Sequence, residues 1–433
     1  MRGIVGCLLV AAAMAAGHNL MWHITDTHLQ MSFVDGGDAS KQCNTKTEGA
    51  TDVAGKYGSY RCDTPQTSWD ELVGFVAKGS ATEGQAPDYI IWTGDHTSVL
   101  DPNVSENATL EYIHEITEVL RRLQKTFPTA KIFPTLGNHD SYPAYQFPAE
   151  GPFFVYDYLA EEWKDFVSAE SLVTLKKGGY YTELMQPGLR LVAMFTGLYF
   201  CANGMIDTSA TDPGGHLAWM KETLTAARAA GEKVIIIGHI PPGYDELEPY
   251  GGQMHDSLNT QLVNAMAEFH MDPVIASFYG HNHMDGFHVI ADPADKSKAH
   301  IGFLGACGTL RDSINSAVTL FKFEKEAPFT MLDKEVYIHD LPTSNKNGYA
   351  TWIKEYSAQE LYGVKDLSVE SLNDLIVRLG ENRTLFDQYY MNMHASSVEQ
   401  TYYRDCKDDQ CRKEVLCCMT NMIHSEIQSC MSS

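Results

Sequence analysis

Basic residues are scarce in this sequence of 433 residues, which has 32 lysines and arginines against 56 aspartates and glutamates and a formal charge of −24. A protein that coats a nucleic-acid polymer needs a basic surface, so the composition argues against this class of partner. A small anionic substrate remains compatible with the charge, because a bound cation reverses the local field. With 44% hydrophobic residues the chain can form a full core, and its length predicts one large domain with a smaller appendage.

Long apolar runs are also missing, since no stretch approaches the ~20 residues that a membrane-spanning helix needs. The apolar segment at residues 4–16 is shorter, follows Arg2, and has small residues at Ala13 and Ala15. This pattern is typical of a secretory signal peptide, which we predict over residues 1–16. A buried first helix is the alternative. The prediction implies a secreted or lysosomal protein without a transmembrane segment.

Three N-x-S/T triplets agree with secretion and predict glycosylation at Asn103, Asn107 and Asn382. Each triplet is a weak signal by itself, because such triplets also arise by chance.

Cysteines are concentrated at the end of the chain, where five of the nine beyond the signal segment fall in the last 28 residues. In an oxidising compartment this density predicts disulfide bonds. The predicted pairs are Cys406–Cys411, Cys417–Cys430, with Cys418 as the alternative to Cys417, and Cys43–Cys62. Cys201, Cys307 and one of the adjacent pair remain unassigned. A zinc knuckle is the alternative for the C-terminal cluster, although the spacing lacks paired C-x-x-C units.

Short apolar runs rich in β-branched and aromatic residues alternate with helical patterns. Five of these runs are predicted as buried strands, at residues 20–25, 88–93, 131–136, 233–238 and 272–280. The helical patterns cover residues 66–79, 106–126, 214–230 and 256–270. This alternation predicts a layered α/β domain over residues 17–345. From residue 346 to 433 helical spacing and the cysteine cluster predict a small helical, disulfide-bonded subdomain.

Each of the five predicted strands ends in a loop that carries carboxylate, amide or imidazole side chains. In layered α/β folds, ligands bind outside the carboxyl ends of the strands. We therefore expect these side chains to share one site, although any single Asp-x-His or His-x-His pair would be weak evidence among 17 histidines. The candidates are Asp26, His28, Asp95, Asn138, His139, His239, His281 and His283.

The set D-x-H, G-D, G-N-H-D, G-H and G-H-x-H, in this order, resembles the calcineurin-like metallophosphoesterases. Within that superfamily, the segments WHITDTHL, FPTLGNHDSYP, IGHIPPGY and FYGHNH resemble the acid sphingomyelinase-like phosphodiesterases. The resemblance extends from about residue 20 to the last cysteine. It implies a layered β-sandwich flanked by helices and activity on small phosphodiesters, often derived from nucleotides.

The resemblance also implies two Zn²⁺ ions, a cofactor for which imidazole and carboxylate ligands are suited. Two such ions share a hydroxide that attacks phosphorus in line, and they bind the phosphoryl oxygens. The implied ligands are Asp26, His28 and His283 for one ion, Asn138, His239 and His281 for the other, and Asp95 for both.

His139 follows an implied ligand, and the resemblance makes it the general acid at the leaving-group oxygen, oriented by Asp140. A structural histidine that supports the site without contacting the substrate is the alternative. One position departs from the family: a second active-site histidine usually lies four residues after the bridging Asp, where this chain has Val99. His96 is a candidate to replace it, and the competing interpretation is that His96 lies at the rim. Tyr142, Tyr145, Tyr244 and His255 are candidate substrate contacts, although each is more often simply a loop residue.

The predicted function is a secreted or lysosomal di-zinc phosphodiesterase for small diesters, nucleotide-derived or of the phosphocholine type, acting as a monomer. A sphingomyelin phosphodiesterase or a phosphomonoesterase with the same metal site is the alternative. A binding protein that has lost turnover is the last possibility, and Val99 is the only feature that favours it.

Overall fold

The computed structural model describes residues 17–79, 81–82, 84–246, 252–397 and 405–433. The predicted signal peptide at residues 1–16 lies outside the described residues. Within the described part of the chain, the strands form two six-stranded mixed sheets, and helices cover them.

The first sheet has three parallel strands at one side and an antiparallel extension at the other. Its order is β12-β11-β10-β1-β2-β3. The strands are β1 (His18–Ile24), β2 (Tyr89–Trp92), β3 (Lys131–Pro134), β10 (Ala317–Glu324), β11 (Met331–His339) and β12 (Trp352–Ser357).

The second sheet has a parallel centre bordered by an antiparallel strand on each side, in the order β4-β5-β6-β7-β9-β8. The strands are β4 (Tyr181–Gln186), β5 (Leu189–Ala193), β6 (Lys233–Ile237), β7 (Val274–Tyr279), β8 (Gly286–Asp292) and β9 (Asp295–Leu304).

The sheets face each other across a shared core, and the alternation of side chains along β1 shows how it forms. Met21 belongs to the large apolar cluster that also contains Ile236 and Phe278 of the second sheet. Leu20 and Trp22 point the other way, into a second cluster beneath the first two helices. This two-residue period explains why the central strands are apolar on both faces. The predicted layered sandwich is thus confirmed.

The four predicted helices are present with bounds close to those expected, as α1 (Gln66–Lys78), α2 (Glu106–Thr126), α5 (His216–Ala229) and α6 (Asp256–Ala267). Two further helices were not predicted, α3 (Phe154–Glu162) and α4 (Ala169–Gly178). The described helices include none that is long and apolar enough to cross a membrane.

The C-terminal part is mostly helical, but the prediction of a helical subdomain from residue 346 was wrong in its first segment. β12 pairs with β11 and completes the first sheet, so this sheet extends past residue 345. The remaining elements are α7 (Leu341–Asn347), α8 (Ala358–Tyr362), α9 (Val369–Glu381), α10 (Arg383–Met393), α11 (Asp409–Thr420) and α12 (His424–Ser432).

The structure contains the three predicted disulfides, which join Cys43 to Cys62, Cys406 to Cys411 and Cys417 to Cys430. Cys417–Cys430 joins α11 to α12, Cys406–Cys411 links the first turn of α11 to the segment before it, and Cys43–Cys62 closes a loop that follows β1. Cys201 is exposed, and Cys307 and Cys418 are buried.

Candidate metal centre and active site

The candidate ligands lie just beyond the carboxyl ends of β1, β2, β3, β6 and β7. Because parallel strands within a sheet present these ends at one edge, and the two sheets face each other, five separate loops meet in one place. Asp26 and His281, which come from different sheets, are in direct contact there: the backbone N–H of His281 donates to both carboxylate oxygens of Asp26 at 3.0 Å.

The backbone turns sharply at several of these residues, which have a positive φ although none is glycine. The φ angles are 47° at Asp26, 37° at His28, 57° at Asp95, 75° at His281 and 60° at His283. A left-handed conformation costs on the order of 1–3 kcal/mol for such residues and persists only where the surrounding structure imposes it. Residues 281 and 283 follow the end of β7 at Tyr279, and their turn conformation places the two imidazoles in different donor groups of one site.

Two glycines of the sequence motifs are required by the close approach of these loops. A Cβ atom at Gly137 would lie 2.0 Å from Oδ1 of Asp95, and one at Gly280 would lie 2.1 Å from the Thr25 hydroxyl. Any side chain at either position would therefore separate the strand ends that carry the candidate ligands.

Six of the candidate ligands fall into two groups whose donor atoms lie within 4.8 Å of one another. Asp26, His28 and His283 form one group, and Asp95, His239 and His281 form the other. Oδ2 of Asp95 lies between the groups, 3.5 Å from Nε2 of His28 and 3.2 Å from Nε2 of His239.

Asn138 supplies the seventh candidate side chain. It is almost completely buried, and its Oδ1 atom has no hydrogen-bond partner among the described residues. A buried amide oxygen without a partner is costly unless a cation contacts it.

The orientation of the His239 ring also indicates a cation at this site. Its Nδ1 atom lies 2.6 Å from the carbonyl oxygen of Thr93, so Nδ1 carries the proton and Nε2 presents a lone pair. That lone pair is directed toward Oδ2 of Asp95 at 3.2 Å and Oδ1 of Asp26 at 3.8 Å. A cation placed between these three atoms would contact all of them, and together with the second donor group the arrangement fits a dinuclear metal site.

The pKa values of the candidate histidine ligands in the ion-free protein agree with a metal site. Burial acts against a charge on His239, but the carboxylates of Asp95 and Asp26 outweigh it and raise the pKa of His239 to about 9. Burial lowers the pKa of His28 and of His281 well below the usual value. The imidazoles of His28 and His281 therefore stay neutral and able to bind metal.

His139 lies beside the two groups, with Nε2 4.0 Å from Oδ2 of Asp95. Its ring packs edge-on against the rings of Tyr145 and His28, with centroid distances of 4.7 and 5.2 Å. Burial is the main reason why the pKa of His139 falls to about 4. The residue remains 9% exposed and lines a cavity at the surface, so it borders the opening of the site.

Asp140 does not orient His139 as was expected. One carboxylate oxygen accepts the backbone N–H groups of His96 and Thr97, and the other accepts those of Asp95 and Gly137, all at 2.8–3.1 Å. Asp140 therefore fixes two of the loops that carry candidate ligands to each other.

His96 is neither at the rim nor in reach of a substrate, contrary to both interpretations from sequence. Its ring is fully buried between Trp92 and Trp163, and neither ring nitrogen has a hydrogen-bond partner among the described residues. Nε2 comes within 3.9 Å of the Asp140 carboxylate. The residue after a strand-end ligand points away from the site here, so His96 cannot replace the imidazole that is missing at residue 99.

A cavity of about 270 Å³ opens beside His139. Its walls include Val99 and Tyr145, together with Tyr142, which is 42% exposed. Of the predicted substrate contacts, Tyr142 and Tyr145 are therefore at the site entrance.

Tyr244 was also predicted to contact substrate, and its position contradicts this. Its ring is 2% exposed and packs with Cys418 and Ile427 in the C-terminal region, and its hydroxyl donates to Asp256. His255 immediately precedes α6, where its backbone N–H donates to the carbonyl of Tyr199.

Three charged residues near the site were not found from the sequence, namely Asp312, Arg311 and Asp63. Oδ2 of Asp312 lies 3.0 Å from Nδ1 of His283 and fixes the orientation of that ring. Arg311 and Asp63 form an ion pair at 3.1 Å. The only local signal is the polar segment TLRDS, which follows an apolar run as the ligand motifs do, but it matches none of them.

Comparison with known proteins gives two family matches. The calcineurin-like phosphoesterase profile matches residues 20–285, and the acid sphingomyelin phosphodiesterase C-terminal region matches residues 306–433. The chain is 30% identical to human acid sphingomyelinase-like phosphodiesterase 3b, an alignment that covers 95% of this chain and 89% of the relative. It is 31% identical to sphingomyelinase phosphodiesterase C of Dictyostelium discoideum, over 95% of this chain and 92% of the relative. It is 29% identical to the cyclic GMP-AMP phosphodiesterase SMPDL3A of Rattus norvegicus, over 99% and 95%.

Proposed function

The chain belongs to the calcineurin-like phosphoesterase family, among the metal-dependent phosphodiesterases that resemble acid sphingomyelinase, and on this basis we propose that it is a di-zinc enzyme hydrolysing small phosphodiesters. The observation that carries the proposal is the convergence of nitrogen and oxygen donors from five strand ends. Such a mixed set suits Zn²⁺. The proposed ligands are Asp26, His28 and His283 for one ion, Asn138, His239 and His281 for the other, and Asp95 for both.

When bound, two such ions lower the pKa of water and neutralise charge on the phosphoryl oxygens. The protein holds the donors for them in fixed directions through hydrogen bonds behind the rings, as at His239 and Thr93. His139 borders the opening, and we assign it the proton transfer to the leaving-group oxygen. The edge-on contact with Tyr145 keeps the imidazole plane in one orientation.

The names of the relatives point to two kinds of diester, sphingomyelin and a cyclic dinucleotide. The cavity beside His139, of about 270 Å³, is suited to a small substituent on the phosphate. Nucleotide-derived and phosphocholine-type diesters are accordingly the proposed substrates, with sphingomyelin itself as an alternative within this class.

We further propose that the enzyme is secreted or lysosomal and monomeric. Three disulfides favour an oxidising compartment. The side chains of Asn103, Asn107 and Asn382 are exposed, as glycosylation requires. Because β12 completes the first sheet, the proposed catalytic domain extends to about residue 357, with the helical disulfide-bonded part after it.

A phosphomonoesterase is the second candidate, and Val99 is the observation that favours it. A diester with a poor leaving group gains most from a second imidazole, whereas a monoester with a good leaving group can be hydrolysed without one. A binding protein without turnover has less support, because the full set of candidate metal donors is present.

The deciding experiment assays the purified protein with added Zn²⁺ on bis(p-nitrophenyl) phosphate and p-nitrophenyl phosphate across about pH 4–8. A second panel contains sphingomyelin, CDP-alcohols, nucleoside triphosphates and cyclic dinucleotides. Turnover of diesters that stops on chelation supports the proposal. A strong preference for the monoester would instead identify a phosphatase, and no turnover of any compound would favour the binding protein.

A further inference from the structure

A buried acidic residue, Asp101, lies in the wall of the cavity beside His139 and is 8% exposed. Its Oδ2 atom accepts the hydroxyl of Tyr112 at 2.5 Å and the backbone N–H of Ser32 at 3.2 Å, and its Oδ1 atom accepts the backbone N–H of Asn103 at 2.9 Å. Burial acts to raise the pKa of Asp101, but these hydrogen bonds outweigh it and lower the pKa. The carboxylate is therefore negatively charged near neutral pH.

The cavity offers no positive charge to balance Asp101. No lysine or arginine lines it, and none of the ion pairs among the described residues includes Asp101. The one imidazole in the wall is that of His139, whose pKa is lowered to about 4 mainly by burial, so this ring is neutral near neutral pH. Buried charges in proteins are as a rule paired. A cavity with one negative group and no positive one therefore favours a cationic occupant.

The rest of the wall is aromatic and apolar. Tyr142 is 42% exposed, and Tyr145 is partly buried and fixed by its backbone N–H, which donates to the carbonyl oxygen of Asn138 at 2.8 Å. Val99 and Val104 add aliphatic surface. Aromatic rings attract a nearby ammonium group through the negative charge of their faces, and they need no hydrogen bond to do so. Tyrosines, aliphatic surface and a carboxylate in one small cavity thus suit an ammonium group that carries methyl groups.

We propose that this cavity is a subsite for a quaternary ammonium group of the substrate, in which Asp101 supplies the opposite charge and Tyr142 and Tyr145 supply aromatic surface. The inference rests on the proposed phosphodiesterase function and favours the phosphocholine type among its substrates. The volume of about 270 Å³ suits one small substituent, because pockets for drug-sized ligands measure roughly 300–1,000 Å³. A second phosphate group in this cavity would be repelled by the Asp101 carboxylate.

The competing interpretation is that Asp101 only holds its loop against Ser32 and Tyr112. The two interpretations differ in how binding responds to the charge of a ligand, which can be measured without turnover. We suggest isothermal calorimetry on the zinc-loaded protein with three probes. These are phosphocholine, 3,3-dimethylbutyl phosphate, which has the same shape with a neutral carbon in place of the nitrogen, and inorganic phosphate.

The variants are Asp101→Asn, which keeps the size of the side chain and removes its charge, and Tyr142→Leu. The matched control is Asp366→Asn. Asp366 precedes α9 in the C-terminal part and, like Asp101, accepts hydrogen bonds from its neighbours, namely from the backbone N–H of Ser368 at 3.0 Å and from the hydroxyl of Ser371 at 2.7 Å.

We expect the wild type to bind phosphocholine about 10–100-fold more tightly than 3,3-dimethylbutyl phosphate, the effect of one opposite charge a few ångströms away in a partly buried site. Asp101→Asn should lose most of this preference. Its affinity for inorganic phosphate and its zinc content should stay unchanged, because neither depends on the cavity. Tyr142→Leu should reduce the preference about 2–10-fold through the loss of one aromatic ring. Asp366→Asn should behave as the wild type.

Equal affinities of the wild type for phosphocholine and its neutral analogue would overturn the proposal. A loss in Asp101→Asn that is the same for all three probes would also overturn it, because it would show a purely structural role. If Asp101→Asn fails to fold, Tyr142→Leu decides by the same comparison, since Tyr142 is exposed, and an unchanged preference would then count against the subsite.

The proposed function and the subsite fail in different ways. A wild-type protein that prefers phosphocholine but hydrolyses no ester would refute the proposed function and leave the ammonium subsite in place. A protein that hydrolyses diesters without this preference would refute the subsite alone.

Discussion

Nε2 of His28 and Nε2 of His283 lie 3.1 Å apart, although 255 residues separate them in the chain. Nδ1 of His28 faces the carbonyl oxygen of Thr97 at 2.9 Å, and Nδ1 of His283 faces the Asp312 carboxylate at 3.0 Å. Both Nδ1 atoms therefore carry the proton, and both Nε2 atoms present lone pairs to each other. Two lone pairs at this distance repel each other unless a cation contacts both.

The contact between His28 and His283 leads to a prediction about the metal content of the protein. The purified protein should contain close to two zinc ions per chain, and His283→Ala should lose most of one, as measured by mass spectrometry of the metal. The control is His114→Ala, because His114 is partly exposed, pairs with Glu162 and belongs to neither donor group. Full occupancy in His283→Ala would contradict the ligand assignment.

His139→Ala should reduce kcat by roughly 10²–10⁴-fold, the usual contribution of a positioned general acid. Zinc content should be unaffected, because His139 belongs to neither donor group. The loss should be larger for a diester with an alcohol leaving group than for one that releases p-nitrophenolate, which needs little protonation. An equal loss on both substrates would exclude the role of proton donor.

Asp140→Asn should destabilise the protein and weaken metal binding. One oxygen of the carboxylate would become an NH₂ group facing two backbone N–H donors. Leaving buried donors without an acceptor costs about 3 kcal/mol, which urea unfolding of the variant should detect. Asp70→Asn, at an exposed carboxylate on α1, is the control and should unfold as the wild type does. Stability equal to the wild type in Asp140→Asn would show that its four hydrogen bonds are dispensable.

Glu355 makes stability depend on pH. The residue is only partly buried, but its Oε2 atom is inside the protein, and burial raises the pKa of Glu355 to about 8. In the unfolded chain the group titrates near its ordinary value, so the folded protein holds an extra proton between about pH 4.5 and 8. The stability contributed by the protonated Glu355 side chain is therefore complete below about pH 4.5. It decreases across this window and is lost as the pH rises through 8.

Glu355→Gln should remove this dependence, because the amide stays neutral. The difference in unfolding free energy between the variant and the wild type should shift by roughly 3–4 kcal/mol in favour of the variant between pH 5 and pH 8. Glu360→Gln, at an exposed carboxylate, should show no such shift. A difference that does not change with pH would mean that Glu355 is already ionised at pH 5.

The sequence was sufficient for the central features of the fold and the site. The central strands and the long helices follow from apolar periodicity, which is a local property. The candidate ligands follow from their common position after predicted strands, and Asp26, His28 and His283 indeed share one group. The C-terminal disulfides follow from the density of cysteines over a short segment.

Only the tertiary structure decided which way the neighbouring side chains point. His96 and Asp140 each lie next to a candidate ligand in sequence, yet His96 faces the core and Asp140 the backbone of another loop. Tyr244 is covered by helices more than 150 residues further along the chain, and Asp63 meets Arg311 across 248 residues. Periodicity and spacing report the local backbone, whereas these orientations depend on positive φ angles and on contacts between distant segments, which exist only once the two sheets have closed on each other.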